Sequence, residues 1–128
     1  MNKKENEMET VTINGVEYVR KDSVKQEANA LDGKPFVVVR STTASPFFGY
    51  LEHEDVANQT VTLVQARRIY YWAGAATLSQ LAEEGTSKPN ECQFPCAVSK
   101  VRISNVHELY FATGKAQNSL ESVPVWSA

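Results

Sequence analysis

The residues best suited to chemistry lie together in Ala66-Arg67-Arg68-Ile69-Tyr70-Tyr71-Trp72. On an extended strand, alternation puts Arg67, Ile69 and Tyr71 on one face and Arg68, Tyr70 and Trp72 on the other. Each face then holds a guanidinium close to an aromatic plate. A guanidinium grips phosphate through parallel N–H donors, and an aromatic ring stacks on a base, so the pairing suits a nucleotide. It equally suits a structural role, with the rings in the core and the arginines lying over them. Arg40, just ahead of Ser41-Thr42-Thr43, adds a cation with hydroxyls beside it. Phe94, Arg102, Asn105 and Lys115 form a looser aromatic and polar set in the second half.

Groups for catalysis are sparse. The chain has two histidines, His53 and His107. His53 with Glu52, Glu54 and Asp55 is the nearest approach to a metal site, which needs three or four ligands; a solvated turn accounts for the cluster. Cys92 and Cys96, in a Pro-bounded loop, read as loop packing rather than as a redox or nucleophilic pair. Neither a phosphate-cradling Gly-rich loop nor a G-x-S-x-G elbow occurs. The expectation is a binding protein, with no catalytic residue, no metal and no cofactor.

The elements that must position these groups follow from pattern. Phe36-Val37-Val38-Val39 is a continuous apolar run of the kind buried on both faces. A loop over 41–46 leads to a second strand over 47–52. Glu54-Asp55 and Asn58 mark a turn, and Thr60 to Val64 alternates with period two, a strand expected to run on to Tyr71. Ala75 to Glu84 holds helix formers, with Leu78 and Leu81 three apart and Gly85 at the cap position, and is expected to serve as scaffold or interface. Residues 86–97 should be irregular. Val98 to Phe111 reads as one long bent strand or two short ones around Ser104-Asn105. Thr113 caps a short helix over 115–122, which Pro124 ends, and Trp126 tucks back onto the domain. Ahead of all this, residues 1–34 are read as a charged appendage, with a hairpin around Asn14-Gly15 and a thinly striped helix over 20–31, and residues 35–128 as the functional domain. The fold class expected is α+β: an antiparallel sheet with one central helix and one short C-terminal helix, oligomerising.

Composition sets the outer bounds. The chain has 128 residues, with 13 Lys plus Arg against 15 Asp plus Glu, a formal net charge of -2. This length fits one domain. The near-neutral balance argues against a duplex-DNA surface. No apolar run reaches the roughly 18 residues of a membrane span, and the start shows no secretory h-region, so a soluble cytosolic protein is expected.

With these residues in place a family resemblance is visible. Val39 to Ala44, Phe48-Gly49-Tyr50-Leu51, the stretch ARRIYYWAGAATLSQLAEEGTSKP over 66–89, Glu91 to Pro95 and the tail KAQNSLESVPVW resemble the small phage-encoded sponges called Thoeris anti-defence proteins of the first type. The likeness covers roughly residues 36–126. It implies a protein of the host cytoplasm that performs no chemistry on its ligand. Such proteins sequester cyclic ADP-ribose isomers as dimers or hexamers, and hexameric members resemble sponges for the cyclic oligonucleotides of CBASS defence, di- or trinucleotides among them. The positions expected to contact ligand are Trp72 and Phe94 as stacking plates; Arg40, Arg67 and Arg102 for phosphate; Asn105 and Thr113 for ribose or a base edge; and Lys115 as a further cation. The alternatives are a small phage single-stranded nucleic-acid-binding or structural module, and a signal-degrading enzyme.

Overall fold

The computed structural model describes residues 26–127. Among these the chain forms β1 (Phe36–Ser41), β2 (Phe47–Asp55), β3 (Thr60–Arg68), α1 (Leu78–Glu84), a single 3-10 turn (Pro89–Glu91), β4 (Val98–Ile103), β5 (Val106–Phe111) and α2 (Gly114–Glu121). The fold is α+β. All strands join one antiparallel sheet in the order β4-β3-β2-β1-β5.

That order forces the sheet to roll. β4 and β5 stand at opposite edges yet are joined by Ser104 and Asn105 alone. A flat sheet of this order would separate them by four strand spacings, about 19 Å. Three Cα steps reach only about 11 Å. The sheet therefore curls until its ends approach: Val106 N–H donates to the Gln59 carbonyl at 2.9 Å and Thr42 N–H to the Asn105 carbonyl at 3.1 Å. Asn105 turns the corner with φ 56, a left-handed conformation that asparagine tolerates. Register shifts between Phe48 and Tyr50 and between Leu51 and His53 add the local bends.

Rolling gives the sheet an inner and an outer face, and β1 is buried on both. Val37 and Val39 pack inward with Phe47, Val61, Leu63, Ala66 and Ile103. Phe36 and Val38 face outward into a second core, where Leu78, Leu81 and Ala82 of α1 meet Ala116 and Leu120 of α2. The two-sided burial expected of Phe36–Val39 is thus what the fold uses. Two caps stand where the sequence puts them: Thr113 Oγ1 accepts from Ala116 N–H at 3.1 Å, and Gly85 ends α1 with φ 79; the N-cap of α1 is Thr77, whose Oγ1 accepts from Gln80 N–H at 3.1 Å, inside the stretch expected to be helical.

Four expected elements differ. α1 begins at Leu78 rather than Ala75, and β2 runs through Glu54 to Asp55, residues expected to turn. β3 ends at Arg68 instead of reaching Tyr71, because Ile69 N–H turns to the Pro46 carbonyl and the amides of Tyr70 and Tyr71 both turn to Gln93. Residues 26–31 are not helical. Ala28 N–H donates to the Ala112 carbonyl, and the backbone N–H and C=O of Asn29 are both held by the side-chain amide of buried Gln117. Partners from elsewhere in the fold outweigh weak local helix propensity there. The expected hairpin around Asn14-Gly15 lies outside the described residues. Among the described residues no helix is long and apolar enough to cross a membrane.

Candidate ligand-binding site

β1 and β5 bring the first cation into place. Arg40 stands opposite Glu108 in register, so their side chains share a face, and Arg40 Nη1 lies 3.5 Å from Glu108 Oε1. Tyr110, two residues on, donates its hydroxyl to the same carboxylate. That bond holds the Glu108 carboxyl below the usual carboxylate range and pushes the Tyr110 phenol up; Arg40 acts on Glu108 in the same direction with less weight. Trp72 arrives from the segment after β3, half-buried, with its indole N–H donated to the Ala75 carbonyl at 3.1 Å. Arg40, Trp72, Glu108 and Tyr110 line one cleft of about 420 Å³ together with Thr77 and Ser79 of the first turn of α1. A guanidinium, an indole, a phenol and two hydroxyls thus converge on one open cleft.

Other expected contacts fall elsewhere. Arg67 is buried, at 8% exposure. Its guanidinium donates to the carbonyls of Phe94 (2.7 Å), Pro95 (2.9 Å), Val123 (3.0 Å) and Pro124 (3.4 Å). It lies over the rings of Phe48 and Phe94 at 5.8 and 5.7 Å, and burial pushes its pKa down. Its donors are occupied, so Arg67 is a tie between the sheet and the C-terminal tail and not a phosphate fork. Phe94 has no exposed surface and packs edge-on against Phe48, with centroids 5.5 Å apart. It is a core ring with no face for a ligand. Thr113, at 9% exposure, spends its hydroxyl on the α2 cap and on the Glu83 carbonyl.

One residue decides which side of the sheet receives Arg67. Gln65 has φ 49, a bulge conformation in β3. Val61 and Leu63 face the inner core, and after the bulge it is Ala66 that returns there, sending Arg67 to the outer core. Strict alternation does not anticipate that slip.

Asn105 donates its amide to Thr43 Oγ1 at 3.2 Å, closing the corner beside the Ser41-Thr42-Thr43 loop. Arg102 is exposed on β4, the sheet edge opposite β5, and so stands apart from Arg40 in strand order. Lys115 at the start of α2 pairs with Glu84 of α1 at 2.8 Å. It lines a larger, polar cleft of about 710 Å³ that shares Thr77 and Ser79 with the Arg40 cleft. Sequence reasoning missed Glu108, Tyr110, Thr77 and Ser79. The period-two spacing of Glu108 and Tyr110 was the available signal, but only the β1–β5 register places them beside Arg40. His53 sits on β2 opposite Thr62, and Asp55 turns to Asn58. Among the described residues no three His, Cys, Asp or Glu side chains are grouped to hold a metal. Cys92 is buried against the Ala73 carbonyl, while Cys96 is exposed.

This is a rolled-sheet α+β domain with an arginine–aromatic cleft at the junction of β1, β5 and α1. The chain belongs to the family described as Domain of unknown function (DUF6948), which matches residues 34–120. No curated protein and no solved structure matches the chain.

Proposed function

We propose that this protein is a phage-encoded sponge of the host cytoplasm. It binds cyclic nucleotide immune signals, cyclic ADP-ribose isomers and cyclic oligonucleotides among them, and holds them intact. The observation that carries this reading is the meeting of Arg40 and Trp72 in one cleft with Tyr110, Thr77 and Ser79. An exposed guanidinium supplies a phosphate fork, aromatic rings supply stacking surface, and hydroxyls can take ribose or phosphate oxygens. A ligand with two phosphates needs few cations, in keeping with a net charge of -2. The sequence resemblance points the same way.

Calorimetric titration with a panel of cyclic ADP-ribose isomers and cyclic di- and trinucleotides tests it. At least one should bind and be recovered unchanged after the protein is denatured. A linearised product would make the protein a signal-degrading enzyme. Arg40→Ala should weaken binding about tenfold or more with the melting temperature unchanged, since Arg40 is exposed. One observation favours a second reading, a module for single-stranded nucleic acid: Tyr70 and Trp126 stack at 5.2 Å and 11° on the surface, with Tyr70 59% exposed. Binding to long single strands that falls steeply with salt, without affinity for small cyclic nucleotides, would establish it instead.

A further inference from the structure

The two edges of the sheet differ in chemistry. β4 carries Lys100 and Arg102, both exposed, and cations along an edge strand guard it against pairing with another chain. β5, the other edge, has no lysine, arginine or proline, and its Glu108 is answered by Arg40 across the ladder. At its end Phe111 is 65% exposed.

Backbone direction shows what the β5 edge offers. Ala112 N–H donates to the Phe36 carbonyl at 3.1 Å, so Phe36 and Ala112 are a bonded pair. Antiparallel alternation then gives Val38–Tyr110 and Arg40–Glu108 the bonds to β1, and turns the N–H and C=O of Leu109 and Phe111 away from it. No strand lies beyond β5, and among the described residues these outward groups of Leu109 and Phe111 have no partner. The open stretch is bounded at both ends. Val106 N–H goes to the Gln59 carbonyl at 2.9 Å, and Thr113 N–H goes to the Ala82 carbonyl at 3.1 Å.

We infer that this edge pairs antiparallel with the same edge of a second copy, with Tyr110 on the two-fold axis. That register sets Leu109 opposite Phe111 of the second copy and Phe111 opposite its Leu109, so every outward N–H and C=O of the two residues gains a backbone partner. Other registers do worse. Centring on Phe111 needs Thr113 N–H, which Ala82 holds. Centring on Leu109 matches Phe111 with His107, the extra residue at the shift between Arg40 and Ser41. Centring on Glu108 sets two carboxylates face to face. The side chains agree with Tyr110 as the centre. Leu109 packs on the inner core and Phe111 shares its face, so each exposed ring covers the other copy's leucine, beside a cleft of about 250 Å³ lined by Val61, Val106 and Leu109. The two Tyr110 rings meet on the outer face as a cross-strand aromatic pair, and Glu108 stands opposite Ala112. The patch is thus self-complementary, as a two-fold interface requires.

The pairing rests on the strand edge alone and goes beyond the sponge reading. Where both hold, it brings a second subunit to the ligand. Tyr110 lines the Arg40 cleft, so Tyr110 of the second copy stands at the rim of that cleft and the two clefts meet across the axis.

Light scattering of the full chain after size exclusion should give an even number of chains. Phe111→Lys changes an exposed side chain and sets an ammonium against Leu109 of the second copy; it should raise the dissociation constant about tenfold or more with the circular dichroism unchanged. Cross-linking reads the register. Residues opposite one another in a non-bonded antiparallel pair have Cα atoms about 4.5 Å apart, within reach of a disulfide. In a Cys96→Ser background, Tyr110→Cys should therefore give a covalent dimer under mild oxidation, and His107→Cys, exposed on the same strand, should not. A monomer, a dissociation constant unmoved by Phe111→Lys, or a cross-link no faster in Tyr110→Cys than in His107→Cys overturns the pairing. A dimer that meets all three criteria and binds no cyclic nucleotide of the panel keeps the pairing and overturns the sponge alone.

Discussion

Arg67 donates to four carbonyls and Arg40 to a single carboxylate, and the two arginines serve different ends. Arg67 ties four carbonyls of the 94–95 loop and the 123–124 tail to β3 from a buried position. Removing the guanidinium takes its donors from these carbonyls, of which that of Phe94 keeps the Trp126 N–H, so Arg67→Met should lower the free energy of unfolding by about 3 kcal/mol, read by urea denaturation. Arg67→Lys should recover only part, since an ammonium cannot fork across the same carbonyls. A stability equal to wild type in Arg67→Met would remove the tie. Arg40 instead faces solvent and holds one carboxylate loosely, at 3.5 Å. An incoming phosphate must displace Glu108 from it. Glu108→Gln removes that competitor, and the affinity for an anionic nucleotide should then rise about two- to five-fold, the scale of an exposed ion pair. The gain should vanish in the Arg40→Ala background; a weakened affinity in Glu108→Gln would instead make Glu108 a direct contact. Sequence put Arg67 beside aromatic rings and Arg40 beside hydroxyls. Which of them is exposed could not be read, because that depends on the C-terminal tail that Arg67 ties down and on the β1–β5 register.

The elements were legible where local chemistry decides them. Phe36–Val39 is apolar at every position and is buried on both faces; Gly85 ends α1 and Thr113 opens α2 where capping chemistry puts them. They were illegible where distant partners decide. The segment over 26–31 carries helix-tolerant residues, yet Gln117, 88 positions from Asn29, holds it extended. Gly85 illustrates the decisive local case. It caps α1 in a left-handed conformation, its N–H donates to the Leu81 carbonyl, and Ser119 of α2 fills the space a side chain would need. Gly85→Ala should therefore cost about 2 kcal/mol or more, from positive φ and the clash together. Its melting temperature, measured beside that of Gly33→Ala, checks the assignment. Gly33 also has positive φ but nothing within 4 Å, so its loss should be smaller; equal losses would show that the contact with α2 contributes nothing.

At the scale of the molecule, the chain rolls one sheet around a small inner core and packs two short helices on its outer face. That leaves the candidate clefts open to solvent on its surface. Sequestration needs more. A signal held against a competing effector must be largely buried, and tight small-molecule sites enclose most of their ligand. One 128-residue domain has little interior to spare for that. A second copy closing over the first supplies the missing wall without a larger chain, and a symmetric pair would double the arrangement at one interface. The proposed function thus predicts a dimer or a hexamer in solution. Ligand should raise its melting temperature in proportion to the logarithm of ligand concentration, because binding at a shared pocket stabilises fold and assembly together. Light scattering after size exclusion, with and without saturating ligand, measures the mass directly. A monomer that remains a monomer while binding a cyclic nucleotide at nanomolar affinity would show that one chain encloses its ligand alone, and the cleft between β1, β5 and α1 would then have to close by itself.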